Sequence, residues 1–218
     1  MLRELRGMPP LLNSMHSAGN QIMNVRQTAN LMYPAMRLAN GDMLEAYRDF
    51  LTQADNAIAF YARLNSLTGI QRDAWVLLVD ARDAWLRTIV AYRLFIINRT
   101  GNLYEHVLQQ QINDVTIHYQ KAVSALEELT RINRQHNLDL EVSHAIEDMT
   151  ALAPRWYKGY EEVVRIDRQG TWRGDIPLIN DVINPLFAEL YEILDKVDNE
   201  LNRISNVDLV EQTQISRS

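Results

Sequence analysis

Apolar residues return at alternating steps of three and four along almost the whole chain, and that spacing dictates amphipathic helix rather than strand. Met15, Ala18, Ile22, Val25, Ala29, Met32 and Met36 form a first stripe, and Leu44, Tyr47, Leu51, Ala54, Ile58 and Tyr61 a second. A third runs through Trp75, Leu78, Trp85, Ile89, Tyr92 and Ile96, and a fourth through Leu108, Ile112, Val115, Tyr119, Ala122, Leu126 and Leu129. Val142, Ile146, Met149, Trp156, Tyr160 and Val163 carry a fifth; Ile179, Val182, Leu186, Leu190, Ile193, Val197, Leu201 and Ile204 carry the sixth. Helix stops separate them: Asn40-Gly41-Asp42, Thr68-Gly69-Ile70, Thr100-Gly101-Asn102, Gln135-His136-Asn137 and the stretch Gln169 to Asp175. Gly suits the residue after a helix, and Asp accepts from free amides at the next start.

Helices of about 25–34 residues span about 40–50 Å and need partners for most of that length. Short linkers force successive rods antiparallel. The expected architecture is all-α: an up-down antiparallel bundle of about six long helices, or two stacked four-helix modules. Residues 1–218 are expected to form one all-helical domain, with the bundle proper from about 13 to 207. An even number of rods brings both chain ends to the same end of the bundle. Pro34 and Pro154 interrupt periodic stretches and predict a kink or restart; Pro185 does the same or sits in a first helical turn.

The net charge of -6 removes the footprint of a general nucleic-acid binder. The 22 cations are mostly arginine, suited to clamping carboxylate or phosphate. There is no cysteine, so disulfides, zinc–thiolate sites and thiol nucleophiles are out. The most apolar run, Leu86 to Ile97, carries Arg87 and Arg93 and is too polar to span a bilayer. The start, MLRELRGMPPLL, does not read as a signal peptide. The chain is therefore expected to be cytosolic as it stands, or a soluble piece between membrane anchors.

The tetrad Ile-Asn-Asp-Val occurs at 112–115 and again at 179–182. Tyr92 and Gly101 precede the first copy by 20 and 11 residues, and Tyr160 and Gly170 precede the second by 19 and 9. Each copy opens a helix that follows an aromatic-bearing helix and a glycine turn. This order suggests a duplicated hairpin, 70–136 echoed by 139–207.

From Arg26 through Arg134 the chain resembles the four-helix-bundle sensor domains of bacterial transmembrane receptors. The likeness rests on Leu44-Glu45-Ala46-Tyr47, Gln71-Arg72-Asp73-Ala74-Trp75, Asn98-Arg99-Thr100-Gly101-Asn102 and Glu127-Glu128-Leu129, with Ile183-Asn184-Pro185-Leu186-Phe187 repeating the style later. Two such units in six helices resemble the helical bimodular class of chemoreceptors and sensor histidine kinases. That resemblance implies a periplasmic domain of a membrane-anchored parent, a homodimer and a small anionic ligand, often an organic acid.

An enzymatic reading has little to stand on. Glu141-Val142-Ser143-His144 has the Glu-x-x-His spacing of di-iron bundles, but no second copy accompanies it. Glu105, His106 and His118 lack metal-ligand spacing. No phosphate-cradling loop and no nucleophile elbow occur, and neither a catalytic residue nor a cofactor is expected.

The binding reading rests on cations beside apolar stripes, because a bundle seam rarely accepts a cation without an anion. Arg82 lies between Leu78 and Trp85, Arg26 beside Ile22 and Ala29 with Asn30 one turn on, and Arg155 next to Trp156 and near Tyr160. Arg26, Asn30, Arg82, Arg155 and Tyr160 are the candidate ligand contacts, offering guanidinium, amide and phenol donors to a carboxylate. Each arginine has a plainer alternative in pairing with an acid at the bundle flank. Trp75, Trp85, Trp156 and Tyr160 read first as packing residues; Trp172, between Gly170 and Gly174, reads as a loop plug or a partner contact. The leading expectation is a non-enzymatic extracytoplasmic sensor domain, and the rival is a cytosolic helical interaction module.

Overall fold

The computed structural model describes residues 7–101 and 104–215, with side-chain environments through residue 205. Met1 to Arg6 and the turn residue Asn102 lie outside the described residues. The fold is all-α, with no strand among the described residues. The elements are α1 (Met8–Gln27), α2 (Ala29–Met32), α3 (Pro34–Asn40), α4 (Asp42–Ala62), α5 (Gly69–Thr100), α6 (Glu105–His136), α7 (Leu140–Arg168) and α8 (Asp175–Leu178). A π turn, Ile179–Ile183, then leads into α9 (Asn184–Ile215). Two compact units result: Arg37–Ile166, and Met1–Met36 with Asp167–Ser218.

The unit Arg37–Ile166 is a four-helix bundle of α4, α5, α6 and α7. Contacts at its two ends show the alternation of direction. At one end Gln71, opening α5, donates to Asp139, just before α7, at 3.0 Å. At the other, Tyr160 late in α7 donates to the Ile112 carbonyl early in α6 at 3.1 Å. Thr68 and Gln71 form a reciprocal capping box that starts α5. Asn137 closes α6 in the left-handed region, φ 49°, a conformation Asn tolerates better than most residues.

Large aromatics against alanines fill this core. Phe50 stacks on Trp85 with centroids 4.2 Å apart, and Trp85 meets Trp156 edge-on at 5.4 Å. Tyr92 and Tyr160 extend the cluster around Trp156. Ala46, Ala54, Ala57, Ala74 and Ala81 are all buried, giving the rings room. Here α4 buries Ala54 and Tyr61 of its predicted stripe but is displaced by one position at the others. The buried residues are Met43, Ala46, Phe50, Ala54, Ala57 and Tyr61, whereas Leu44, Tyr47, Leu51 and Ile58 are only half-buried. The helix also ends at Ala62, leaving Leu64 exposed.

The other unit pairs α1 with α8, the π turn and α9. The last turn of α1 lies against the start of α8 through Arg26 and Asp175, so α1 and α9 run antiparallel and the N-terminus of α1 and C-terminus of α9 point the same way. The predicted first helix is broken twice, at Thr28 and Tyr33. Tyr33 precedes Pro34, which disfavours helical backbone there, and Pro34 then opens α3. Into this break fits Gly174, whose N–H donates to the Met32 carbonyl at 2.9 Å. A Cβ at residue 174 would sit 2.0 Å from the Leu31 carbonyl oxygen, so only glycine allows the approach. Trp172 is buried in the same loop.

The prolines differ in effect. Pro154 is carried inside a continuous α7. Pro185 follows the π turn, in which the Asn184 N–H reaches back five residues to the Ile179 carbonyl. A proline ring cannot donate to Asp181 and crowds its carbonyl, which accounts for the widened turn. The two Ile-Asn-Asp-Val copies thus have different backbones: 112–115 is regular helix within α6, and 179–182 is the π turn.

Candidate functional site

The five predicted contacts fall in both units and do not form one constellation. Arg26 and Asn30 belong to the α1–α9 unit, where Asn30 is exposed. The anion that Arg26 meets is the chain's own Asp175: its Nε donates to Oδ2 at 2.9 Å, and Arg173 closes on the same carboxylate at 2.7 and 3.0 Å. Asp175 is completely buried. The hydrogen bonds from Arg173, and then from Arg26, hold its pKa below the usual Asp range.

In the four-helix unit, Arg82 flanks the seam and pairs with Asp55, with Asp83 at 3.9 Å. Arg155 is exposed and within 3.3 Å of Glu45 and 3.7 Å of Asp42. Tyr160 is core, its hydroxyl committed to Ile112. Glu141 and His144 are exposed. Among the described residues no three His, Cys, Asp or Glu side chains gather as a metal set.

Charge without an ion pair among the described residues lines a groove of about 730 Å³ between α5 and α6. Arg87 from α5 and His118 and Lys121 from α6 line it, with Ser124 and Gln120 as neutral polar groups. Leu77, Ala84, Ile117 and Ala125 add apolar lining, and Asp80 and Asp83 line it as well. His118 Nδ1 is shielded from solvent and has no protein partner. Desolvation, then the charges of Lys121 and Arg87, push the imidazole pKa below its ordinary value, while Asp114 opposes them. The site thus holds two cations, two carboxylates and an imidazole with an idle ring nitrogen. Arg87, Lys121 and His118 offer donors to an anion beside apolar walls, with Asp80 and Asp83 as opposing charges in the same lining.

A second groove, about 430 Å³, continues along the same helix pair past Ile70 and Val76. Its Arg131 is already held by Glu128 and Gln135, so it offers less to a ligand. No stripe in the sequence singles out Arg87, His118 and Lys121, because their meeting depends on the rotation of two helices 30 residues apart. The one available signal was Arg87 interrupting the apolar run from Leu86 to Ile97.

Comparison with known proteins adds no family. No protein-family model, curated protein or solved structure matches the chain.

Proposed function

We propose that the chain is a non-enzymatic, ligand-binding sensor domain of a membrane-anchored receptor, lying outside the cytoplasm and taking a small organic acid in the groove between α5 and α6. The observation that carries this reading is the set Arg87, His118 and Lys121, cationic or protonatable groups turned to one groove between two long helices. A carboxylate ligand would bridge them, and any preference for one offset of α5 against α6 would shift that equilibrium. The parallel course of the two ends of the α1–α9 unit supports attachment at both termini. None of the described helices is long and apolar enough to cross a membrane, so anchoring segments would flank the residues given.

Calorimetric titration with succinate, malate and citrate tests the ligand. One of the three should bind, and Arg87→Ala or Lys121→Ala should weaken it at least tenfold while leaving the helical signal intact. Absence of heat and of thermal stabilisation with all three overturns the anion reading. Sedimentation of the full chain tests the homodimer. Apolar runs of about 20 residues on both sides in the parent gene test the location.

A second reading, a cytosolic interaction module, draws on Phe187, Tyr191, Leu194 and Leu201, which leave 41–67% of their surface exposed along α9. Absence of flanking membrane segments in the parent gene favours it over the receptor.

A further inference from the structure

One contact on the seam of α6 and α7 brings two oxidisable rings face to face. Tyr119 from α6 and Tyr157 from α7 stack with centroids 4.0 Å apart and planes 16° from parallel. Both belong to the Arg37–Ile166 unit and both are half-buried, so neither is sealed from solvent. Tyr119 also lines a groove of about 440 Å³ between the two helices. Desolvation first, then Tyr157 and Glu161, raise the Tyr119 pKa. At neutral pH the phenol therefore keeps its proton and must release it on oxidation.

Behind the pair an aromatic series runs into the core. Tyr157 meets Tyr160 at 5.5 Å, Tyr160 stacks on Trp156 at 5.7 Å, and Trp156 meets Trp85 at 5.4 Å. Steps of this size let an electron vacancy pass from ring to ring, and it settles where the radical can also shed a proton to water. Trp85, Trp156 and Tyr160 are buried, and the Tyr160 hydroxyl donates to the Ile112 carbonyl. Tyr119 and Tyr157 are the members of the series that reach solvent. The chain has no cysteine, so no thiol intercepts an oxidant first.

We propose that Tyr119 and Tyr157 form an oxidative cross-linking site, at which a one-electron oxidant joins them as dityrosine. Each phenol gives one electron to the oxidant and its hydroxyl proton to water, leaving two stacked phenoxyl radicals. Coupling forms a bond between a carbon ortho to each oxygen. The hydrogens on those two carbons then move to the oxygens, which restores both phenols. Two electrons and two protons leave in all; with hydrogen peroxide as oxidant, acting through a haem peroxidase, they end in two molecules of water. Radicals held in contact react as parts of one molecule, whereas Tyr157 and Tyr160, inclined at 48°, must first turn. The new bond ties α6 to α7 and fixes their offset. The site stands whether or not an organic acid binds between α5 and α6.

The test is oxidation of the full chain by hydrogen peroxide and a haem peroxidase at low protein concentration. Single chains are then separated from covalent dimers under denaturing conditions. The single chains should show dityrosine fluorescence and be lighter by two hydrogen atoms. Trypsin should release residues 100–121 joined to residues 156–158, with fragment ions placing the link on Tyr119 rather than Tyr104. Tyr119→Phe and Tyr157→Phe keep both rings but remove one phenol, so each should lower the single-chain dityrosine roughly tenfold. Circular dichroism verifies that both variants fold. Tyr104 is the most exposed tyrosine nearby, 75% exposed, and Tyr104→Phe should leave the link in place. Dityrosine confined to covalent dimers, a single-chain link that survives Tyr119→Phe or Tyr157→Phe, or its loss in Tyr104→Phe each overturns the proposal.

Discussion

Asp175 and His118 are two titratable groups whose surroundings push in opposite senses relative to function. The Asp175 carboxylate has no exposure of its own and is satisfied by Arg173 and Arg26, both about half exposed. Its depressed pKa means that the folded chain binds the carboxyl proton less well than the unfolded chain. The pair therefore stabilises fully above the ordinary Asp range, near pH ~3.9, and the contribution fades as pH falls from there. Asp175→Asn should cost about 2–3 kcal/mol at neutral pH, discounted for the solvent around the two arginines, and should flatten the acid limb of a stability–pH curve. Chemical denaturation at several pH values checks both. The His118 pKa is lowered by desolvation, Lys121 and Arg87. An anion seated there would offset those charges and favour the imidazolium, so binding takes up a proton. Corrected for protonation of the ligand itself, succinate or its analogues should then bind more tightly as pH falls towards the imidazole's range, and His118→Ala should abolish that dependence. Affinity independent of pH would remove His118 from the site.

At the scale of elements, two glycines make contrasting predictions. Gly174 approaches backbone: a Cβ would press within 2.0 Å of the Leu31 carbonyl oxygen, which cannot move without opening the break between α2 and α3. Gly174→Ala should cost about 3 kcal/mol. Gly159 approaches the Met43 side chain, with a Cβ 2.5 Å from its Cγ. Met has rotamers to spare, so Gly159→Ala should cost about 1 kcal/mol, partly offset by better helix propensity. Thermal melts of both variants rank them, and equal losses would mean that backbone at Leu31 yields as readily as the Met43 side chain. Helix number, order and most stops were legible in the sequence because heptad-like spacing and glycine punctuation act locally. The buried face of α4 was not. Large residues at 44, 47, 51 and 58 mark one stripe, but the core takes the alanine-rich one beside it, since alanines at 46, 54 and 57 let the helix come close to Trp85. Alanine anchors nothing by itself; its value appears only opposite a large ring. The breaks at Thr28 and Tyr33 escaped for the same reason, because Gly174 comes to the chain from 140 residues away.

For the molecule as a whole, the four-helix unit is complete in a sense the other is not. Trp85, Trp156, Tyr61, Phe50 and Phe95, all belonging to 37–166, are each fully buried. Expressed alone, residues 37–166 should fold cooperatively, with a helical spectrum and a single sharp melt. Trp85→Ala in that fragment should cost about 3–5 kcal/mol. A non-cooperative melt of the wild-type fragment would show that the aromatic core needs the remaining chain. The candidate site was the least legible feature. Reasoning from a cation near apolar neighbours led to Arg26, Arg82 and Arg155, each of which the fold supplies with an acid of its own. Arg87 and Lys121 lie on outward faces, where a sequence shows ordinary surface charge; only the pairing of α5 with α6 turns them into neighbours.

The wide turn at Ile179–Ile183 holds one residue more than an α-helix needs for the same rise. Deleting Asn180 should close it into an ordinary turn, and every side chain downstream would then rotate by about 100° about the helix axis. The half-buried row of Leu186, Leu190, Ile193 and Val197 would swing away from α1, and Phe187, Tyr191 and Leu194 would come round in its place. The extra residue therefore sets which stripe of a long helix counts as inside, and an aligned chain lacking it would bury the neighbouring stripe instead.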